Sequence, residues 1–327
     1  MTDFQAPEKP PRRENGDAVV IVTGPTAGGK SGLTLALAER LDGTIVNADS
    51  MQVYRDLTVL TARPGPAEEA RVPHRLFGVL GAEERCSVGR WLGMAVAEIA
   101  AARAAGRLPI VIGGTGMYLK ALTRGLAPVP EVPDAVTAEA AALYDSLGGD
   151  AFRERLAALD PAAAATLPPG DRQRLIRAHA VAEATGRTLG EWQNEAPPGP
   201  PLKARFLTVL VMPPRADLYA ACDARFTAML AAGAMDEVRA LLARGLDSTL
   251  PAMRAVGVPE LGAVVRDGMD LEQAAGKARQ ATRNYAKRQI TWFRHQLAPD
   301  LIVEQGGEAA APDVLRLLQK SGVVRNV

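Results

Sequence analysis

The sequence predicts an α/β fold, a P-loop NTPase-like core with a mainly parallel sheet, interrupted by an all-helical insertion. Three observations carry this expectation. Ala18 to Thr23 (AVVIVT) is a β-branched apolar run that ends in a Gly-rich turn; Lys30 to Leu41 follows with Leu33, Leu37 and Leu41 at helical spacing; and between Leu126 and Arg205 strand patterns disappear.

The remaining elements fit that frame in chain order. Thr44 to Asn47 reads as a second strand leading to Asp49, and an Ala-rich helix from about Val88 to Ala105 precedes a third strand, Leu108 to Ile112. Apolar strands alternating with helices imply a parallel sheet covered on both faces. The Pro-rich connector APVPEVPD then opens a stretch with helical patterns only, and Pro197 to Pro201 closes it. Arg205 to Met212 (RFLTVLVM) resumes the strand pattern, and the last third is helical apart from Leu301 to Val303. The expected organisation is a disordered tail at 1–17, a core at 18–126 and 203–327, and a helical insertion at 127–202. No fixed-period repeat is present.

Composition sets the outer limits. With 327 residues, 47 % of them hydrophobic, the chain is long enough for a buried core and excludes disordered or collagen-like classes. Cys86 and Cys222 stand far apart without a His at ligand spacing, which gives no support to a disulfide framework or a structural zinc site and points to a reducing compartment, the cytoplasm. No apolar run reaches the roughly 18 residues that span a bilayer, and the polar, Pro-rich N-terminus resembles neither a signal nor a transit peptide. The formal net charge of +1 argues against a nucleic-acid partner until its distribution is considered. From Gln273 to Pro299 there is no acid, whereas Lys277, Arg279, Arg283, Lys287, Arg288 and Arg294 are all cationic. On a helix, Arg279, Arg283, Lys287 and Arg294 fall within an arc of roughly 80°, a stripe able to track phosphates, with Tyr285 and Trp292 off to one side.

The strongest motif is Gly24-Pro25-Thr26-Ala27-Gly28-Gly29-Lys30-Ser31, which matches GxxxxGK[ST]. Its glycines let backbone N–H groups turn inward as an anion cradle at a helix N-terminus, Lys30 supplies a point charge, and the Ser31 hydroxyl can ligate Mg²⁺. A hydrolytic P-loop enzyme also needs an Asp at the end of an apolar strand to position its metal. Ile110-Val111-Ile112 instead runs into Gly113-Gly114-Thr115, and no NKxD guanine motif occurs. The acid nearest the expected mouth of the sheet is Asp49, which on residues alone reads more often as a turn or helix-capping Asp than as a catalytic one.

Seven segments then resemble one family, the tRNA dimethylallyltransferases. They are GPTAGGKS, ADSMQVYR (Ala48 to Arg55), TARP with PHRL (Thr61 to Pro64, Pro73 to Leu76), IGGTGMYLKAL (Ile112 to Leu122), QRLIR (Gln173 to Arg177), RFTAML (Arg225 to Leu230) and YAKRQITWFRHQ (Tyr285 to Gln296). The resemblance implies transfer of a dimethylallyl group from dimethylallyl diphosphate to N6 of adenosine 37, beside the anticodon of a tRNA, with Mg²⁺ as cofactor. It makes Asp49 the general base, Thr115 the holder of the amine and Arg225 a partner of the leaving diphosphate. It also implies tRNA contacts from Asp49, Ser50, Met51 and Gln52, from Gln173, Arg174, Leu175, Ile176 and Arg177 in the insertion, and from Arg283, Lys287, Arg288 and Arg294. Members are usually monomers without a membrane partner, and the missing zinc finger points to the bacterial form.

This chain departs from the family pattern at Leu60-Thr61-Ala62-Arg63-Pro64, at Gly257-Val258-Pro259-Glu260 and at Thr137. These departures bear on RNA contacts, not on the transfer chemistry. Three other readings compete: an adenylate isopentenyltransferase, a P-loop small-molecule kinase, and a non-catalytic RNA-binding protein with a vestigial loop. The insertion and basic stripe disfavour the first, and intact Lys30, Ser31, Asp49 and Thr115 disfavour the last.

Overall fold

A computed structural model of the chain describes residues 17–195 and 199–324. The tail expected at 1–17 lies, but for Asp17, outside the described residues, as does part of the second Pro-rich stretch. The chain divides into two compact units, Met1–Leu122 with Leu202–Val327, and Thr123–Pro201.

In the first unit six strands form one sheet: β1 (Ala18–Thr23), β2 (Gly43–Asn47), β3 (His74–Arg75), β4 (Leu108–Gly113), β5 (Arg205–Val211) and β6 (Leu301–Val303). Their order is β3-β2-β4-β1-β5-β6, and every neighbouring pair is parallel. Every residue of β1, β2 and β4 is buried, which is why these strands read as mostly apolar and not as alternating runs, with polar Thr23, Thr44 and Asn47 buried among them. The pleat still sorts them. Val19 and Ile21 join Trp91, Tyr118, Phe226 and Phe293 on one face, while Val20 and Val22 join Leu33, Leu37, Val314 and Leu318 on the other. Each fully buried side chain of this size contributes about 1.5–3 kcal/mol.

Trp91 also anchors the sheet edge. It stacks on Tyr118 with ring centroids 4.3 Å apart, and its Nε1 donates to the Asn47 carbonyl at 2.8 Å. Trp91→Ala would remove both packing and bond, a loss of about 3–5 kcal/mol. The helix that carries Trp91, Val88–Ala104, starts where Ser87 caps it by accepting from the Arg90 N–H. The 26-residue helix Leu271–Gln296 is likewise capped by Asp270, which accepts from Gln273 N–H at 3.0 Å.

The second unit is helical: Asp134–Leu156, Pro161–Thr166, Arg172–Thr185 and Leu189–Asn194. Gly148, at φ 75°, kinks the first of these. Asp160 and Asp171 cap the next two, and a Thr188–Glu191 capping box starts the last. Phe152, Leu156, Leu175, Ile176 and Val181 form its core. Leu175 and Ile176 are therefore spent on packing and are withdrawn from the expected RNA contacts, because the helix turns them inward while Gln173, Arg174 and Arg177 stay exposed.

Candidate active site

Open parallel sheets place ligands beyond the carboxyl ends of their strands, where successive loops diverge. Here three loops leave adjacent strands: residues 24–31 follow β1, 48–52 follow β2 and 114–115 follow β4. The register pairs Thr23 with Gly113 and Asn47 with Ile112, and the Thr23 hydroxyl donates to the Gly113 carbonyl at 2.8 Å. Three segments distant in sequence thus emerge side by side.

The first is the phosphate loop. Gly29 opens the helix Lys30–Arg40 at φ 83°, a conformation that favours glycine. Lys30 folds over the loop and donates to the Pro25 carbonyl at 2.7 Å. Burial pulls its pKa down to about 8, against the opposing pull of the Asp49 carboxylate and with a further push from Arg225. Arg225, on the helix Arg215–Ala231, donates to the Thr26 hydroxyl at 2.6 Å. Burial lowers its pKa as well, and Asp49 is among the groups that raise it. The two cations and the carboxylate feel one another's charge.

Asp49 is held by an amide. Asn47, fully buried at the end of β2, accepts from Asp49 N–H at 2.8 Å and donates to the carbonyls of Asp49 and Leu76, both at 3.0 Å. Asp49 Oδ1 accepts from Met51 N–H at 2.9 Å, whereas Oδ2 has no hydrogen-bond partner among the described residues. Thr115 stands beside it. Its hydroxyl accepts from Ser50 N–H at 3.0 Å and donates to Ser50 Oγ at 3.3 Å, so the side chain faces the Asp49 segment while its carbonyl starts the helix Gly116–Arg124. Tyr285 completes the group: burial first, and then the Asp49 charge, push its pKa up. Sequence reasoning placed Tyr285 beside a basic stripe; Asn47 and Tyr285 were missed as site residues.

The structure places the other expected residues variously. Ser31 is exposed at the start of its helix, and no cluster of three or more His, Cys, Asp or Glu side chains able to hold a metal occurs among the described residues. A cation at this loop would therefore take its oxygens from Ser31, substrate phosphates and water. Met51 packs against the core, and Gln52 Nε2 is occupied by the carbonyls of Thr61 at 2.8 Å and Ala62 at 3.3 Å. In the second unit Gln173, Arg174 and Arg177, with Asp171 and Leu189, line a groove of about 500 Å³.

The basic stripe needs correction. Arg283 is clamped to Asp223 at 2.6 Å and Arg279 to Glu272 at 2.8 Å, so both are neutralised by the protein itself. Tyr285 and Trp292 are half-buried on the inward side of the helix, not an exposed aromatic face. Lys277, Lys287, Arg288 and Arg294 are exposed and have no ion-pair partner among the described residues. The departure at Gly257-Val258-Pro259-Glu260 also has a structural form: Glu260 caps Gly257 N–H at 2.9 Å and Pro259 occupies the first turn of Val258–Asp267. A self-capped helix start is the form this departure takes.

A phosphate cradle that opens onto a poised carboxylate, with no strand-end Asp to align a water, is the arrangement of a P-loop group-transfer enzyme that cleaves a phosphate ester at carbon and releases a phosphate or diphosphate anion. The chain belongs to the IPP transferase family, whose model matches residues 52–296. It is 61 % identical over 280 residues to the tRNA dimethylallyltransferase of Rhodospirillum centenum, covering 86 % of this chain and 89 % of that one. It is 55 % identical to the enzyme of the same name from Phenylobacterium zucineum, covering 85 % and 90 %. Among solved structures, the full-length tRNA isopentenylpyrophosphate transferase of Bacillus halodurans superposes with a TM-score of 0.66 at 28 % identity over 94 % of this chain and 97 % of that one. A eukaryotic dimethylallyltransferase captured acting on tRNA gives 0.78 at 25 % identity, over 93 % and 78 %.

Proposed function

We infer that this enzyme transfers the dimethylallyl group of dimethylallyl diphosphate to N6 of adenosine 37, next to the anticodon of tRNAs, and releases diphosphate. The observation that carries this reading is the convergence of Lys30, Arg225 and Asp49 at the carboxyl ends of adjacent strands, Lys30 and Arg225 at the phosphate loop and Asp49 on the loop after β2, cations for a leaving group and a carboxylate for a nucleophile at one site.

An exocyclic adenine amine is a weak nucleophile because its lone pair is delocalised into the ring. As the bond from N6 to C1 forms, the bond from C1 to oxygen breaks and its electron pair leaves with the diphosphate. Asp49 Oδ2 takes the N6 proton, the alignment being fixed by Asn47 and the Met51 N–H. Thr115 and Tyr285 orient the amine. Lys30, Arg225 and the loop amides meet the charge that develops on the diphosphate, the main electrostatic task of the step. Mg²⁺, held by the Ser31 hydroxyl and the diphosphate, would supply further charge neutralisation there.

An adenine stacked in an anticodon loop cannot reach these groups, so it is flipped out of its stack. Gln173, Arg174 and Arg177, and exposed Lys287, Arg288 and Arg294, are cations and an amide suited to the RNA backbone and unstacked bases. Monomeric action in the cytoplasm belongs to the same proposal; no helix among the described residues is long and apolar enough to cross a membrane.

The test is to incubate the protein with labelled dimethylallyl diphosphate and Mg²⁺, offering unmodified tRNA or AMP. Label in tRNA at adenosine 37 is expected. Label in AMP alone would make it an adenylate isopentenyltransferase, and no label in either, with ATP-dependent phosphorylation of a metabolite, would make it a kinase.

A further inference from the structure

Gln289 lies on the Leu271–Gln296 helix and is only 6 % exposed. Its Oε1 accepts from Thr26 N–H, in the phosphate loop, at 2.8 Å. Its Nε2 donates to the Gly114 carbonyl, in the turn that carries Thr115, at 3.0 Å. One buried amide therefore touches both halves of the site, and Thr26 is held twice, through its N–H by Gln289 and through its hydroxyl by Arg225.

The turn is shaped to receive this helix. A Cβ on Gly114 would sit 2.2 Å from Gln289 Nε2, and one on Gly116 would sit 2.4 Å from the Trp292 ring. Tyr285, Gln289 and Trp292 occupy one inward arc of roughly 60° at about 100° per residue. The chemistry of the bridge is specific. Thr26 offers a donor and Gly114 an acceptor, so the side chain between them must present one acceptor and one donor at fixed separation. A carboxylate would set a lone pair against the Gly114 carbonyl, and a thioether would satisfy neither strongly.

We propose that Gln289 is a positioning residue that fixes the spacing between the phosphate cradle and the Gly113–Thr115 turn, and with it the spacing between the departing diphosphate and the attacking amine. This rests on the transfer reading of the site. Misplacement of reacting groups by about 1 Å costs on the order of 10²-fold in rate, which sets the expected size of the effect.

The experiment measures steady-state transfer to tRNA, tRNA affinity and thermal unfolding for the wild type, Gln289→Met and Gln289→Glu. For Gln289→Met, kcat is expected to fall about 10²-fold, with tRNA Kd unchanged and the protein folded at the assay temperature. Gln289→Glu should lose as much where the introduced carboxyl is ionised. It should recover towards wild type as pH falls, because the protonated acid again offers a C=O acceptor and an O–H donor. Each rate is referred to wild type at the same pH, which carries the same Lys30, Arg225 and Asp49. A Gln289→Met kcat near wild type, or a loss matched by lost tRNA affinity, overturns the proposal. Should Gln289→Met fail to fold, the pH course of Gln289→Glu decides, and a flat ratio to wild type refutes positioning. Failure of the wild type to label tRNA would refute the transfer reading itself, a result distinct from any of these.

Discussion

The mouth of the sheet and the helical insertion solve different problems with the same residue types. At the mouth, the segments that carry the chemistry are tied together by partners far along the chain, Thr26 by Gln289 and Arg225 and Ser50 by Thr115, while Asp49 itself is held locally by Asn47 and the Met51 N–H. In the insertion, Arg174 answers only to the cap residue three positions before it, and its side chain is 74 % exposed. Fixed groups can set a reaction geometry within a fraction of an ångström. Free ones can follow a flexible RNA surface and contribute affinity with little demand on geometry.

The widest separation of the two regions is expected at Asp49. Asp49→Ala should lower kcat by about 10³-fold or more, within the range of general-base removal, while a filter-binding Kd for tRNA stays nearly constant; loss of both together would mean that Asp49 holds the fold. Arg225→Ala should cost about 10²-fold in kcat/KM for dimethylallyl diphosphate, as removal of a charge-stabilising donor does, and a matched loss in tRNA affinity would blur the division. The reverse case is Arg174→Ala with Arg177→Ala. That pair should weaken tRNA binding and flatten the slope of log K against log salt by roughly 1 to 2, leaving the KM for the diphosphate substrate alone.

Two pH profiles give smaller effects. Since burial brings the Lys30 pKa down to about 8, the charged form is present below that pH and lost above it. The free-enzyme parameter kcat/KM for dimethylallyl diphosphate should therefore decline as pH rises through 8, and a flat profile to pH 9 would show that Lys30 does not bind the substrate's charge. In the insertion, burial lowers the pKa of His179, which packs on Phe152 at 5.2 Å. The unfolded chain then takes up the proton first, so the stability from neutral His179 is complete above about pH 6.5 and lost as pH falls below it. Unfolding followed between pH 7.5 and 5.5 should show a drop of a few degrees that His179→Leu abolishes.

What was legible in the sequence followed physical locality. The phosphate loop needs glycines and a lysine at fixed contiguous spacing, so it shows in one line of text. β1, β2, β4 and β5 show because strands covered on both faces are built mainly from apolar residues. β3 has two residues and leaves no pattern. The charge stripe was misjudged for a different reason: a count along one helix cannot see Asp223, which lies 60 positions earlier and neutralises Arg283. Leu175 and Ile176 fit both a recognition motif and a helix core, and only packing decides between them. Asn47 and Gln289 are ordinary polar letters until their burial is known, because the partners of a buried amide are set by tertiary structure alone.

The amide bridge of Gln289 also has a schedule. Thr26 and Gln289 are 263 residues apart, and a ribosome adding about 5–20 residues per second needs roughly 13–50 s to cover that span. Throughout that interval the nascent phosphate loop has water where the helix will later sit. A chain released early, short of the Leu271–Gln296 helix, would carry a complete GxxxxGKS signature with its Thr26 amide untethered. Completion of the cradle is thus among the last events of this protein's synthesis, although its sequence is among the first to be read.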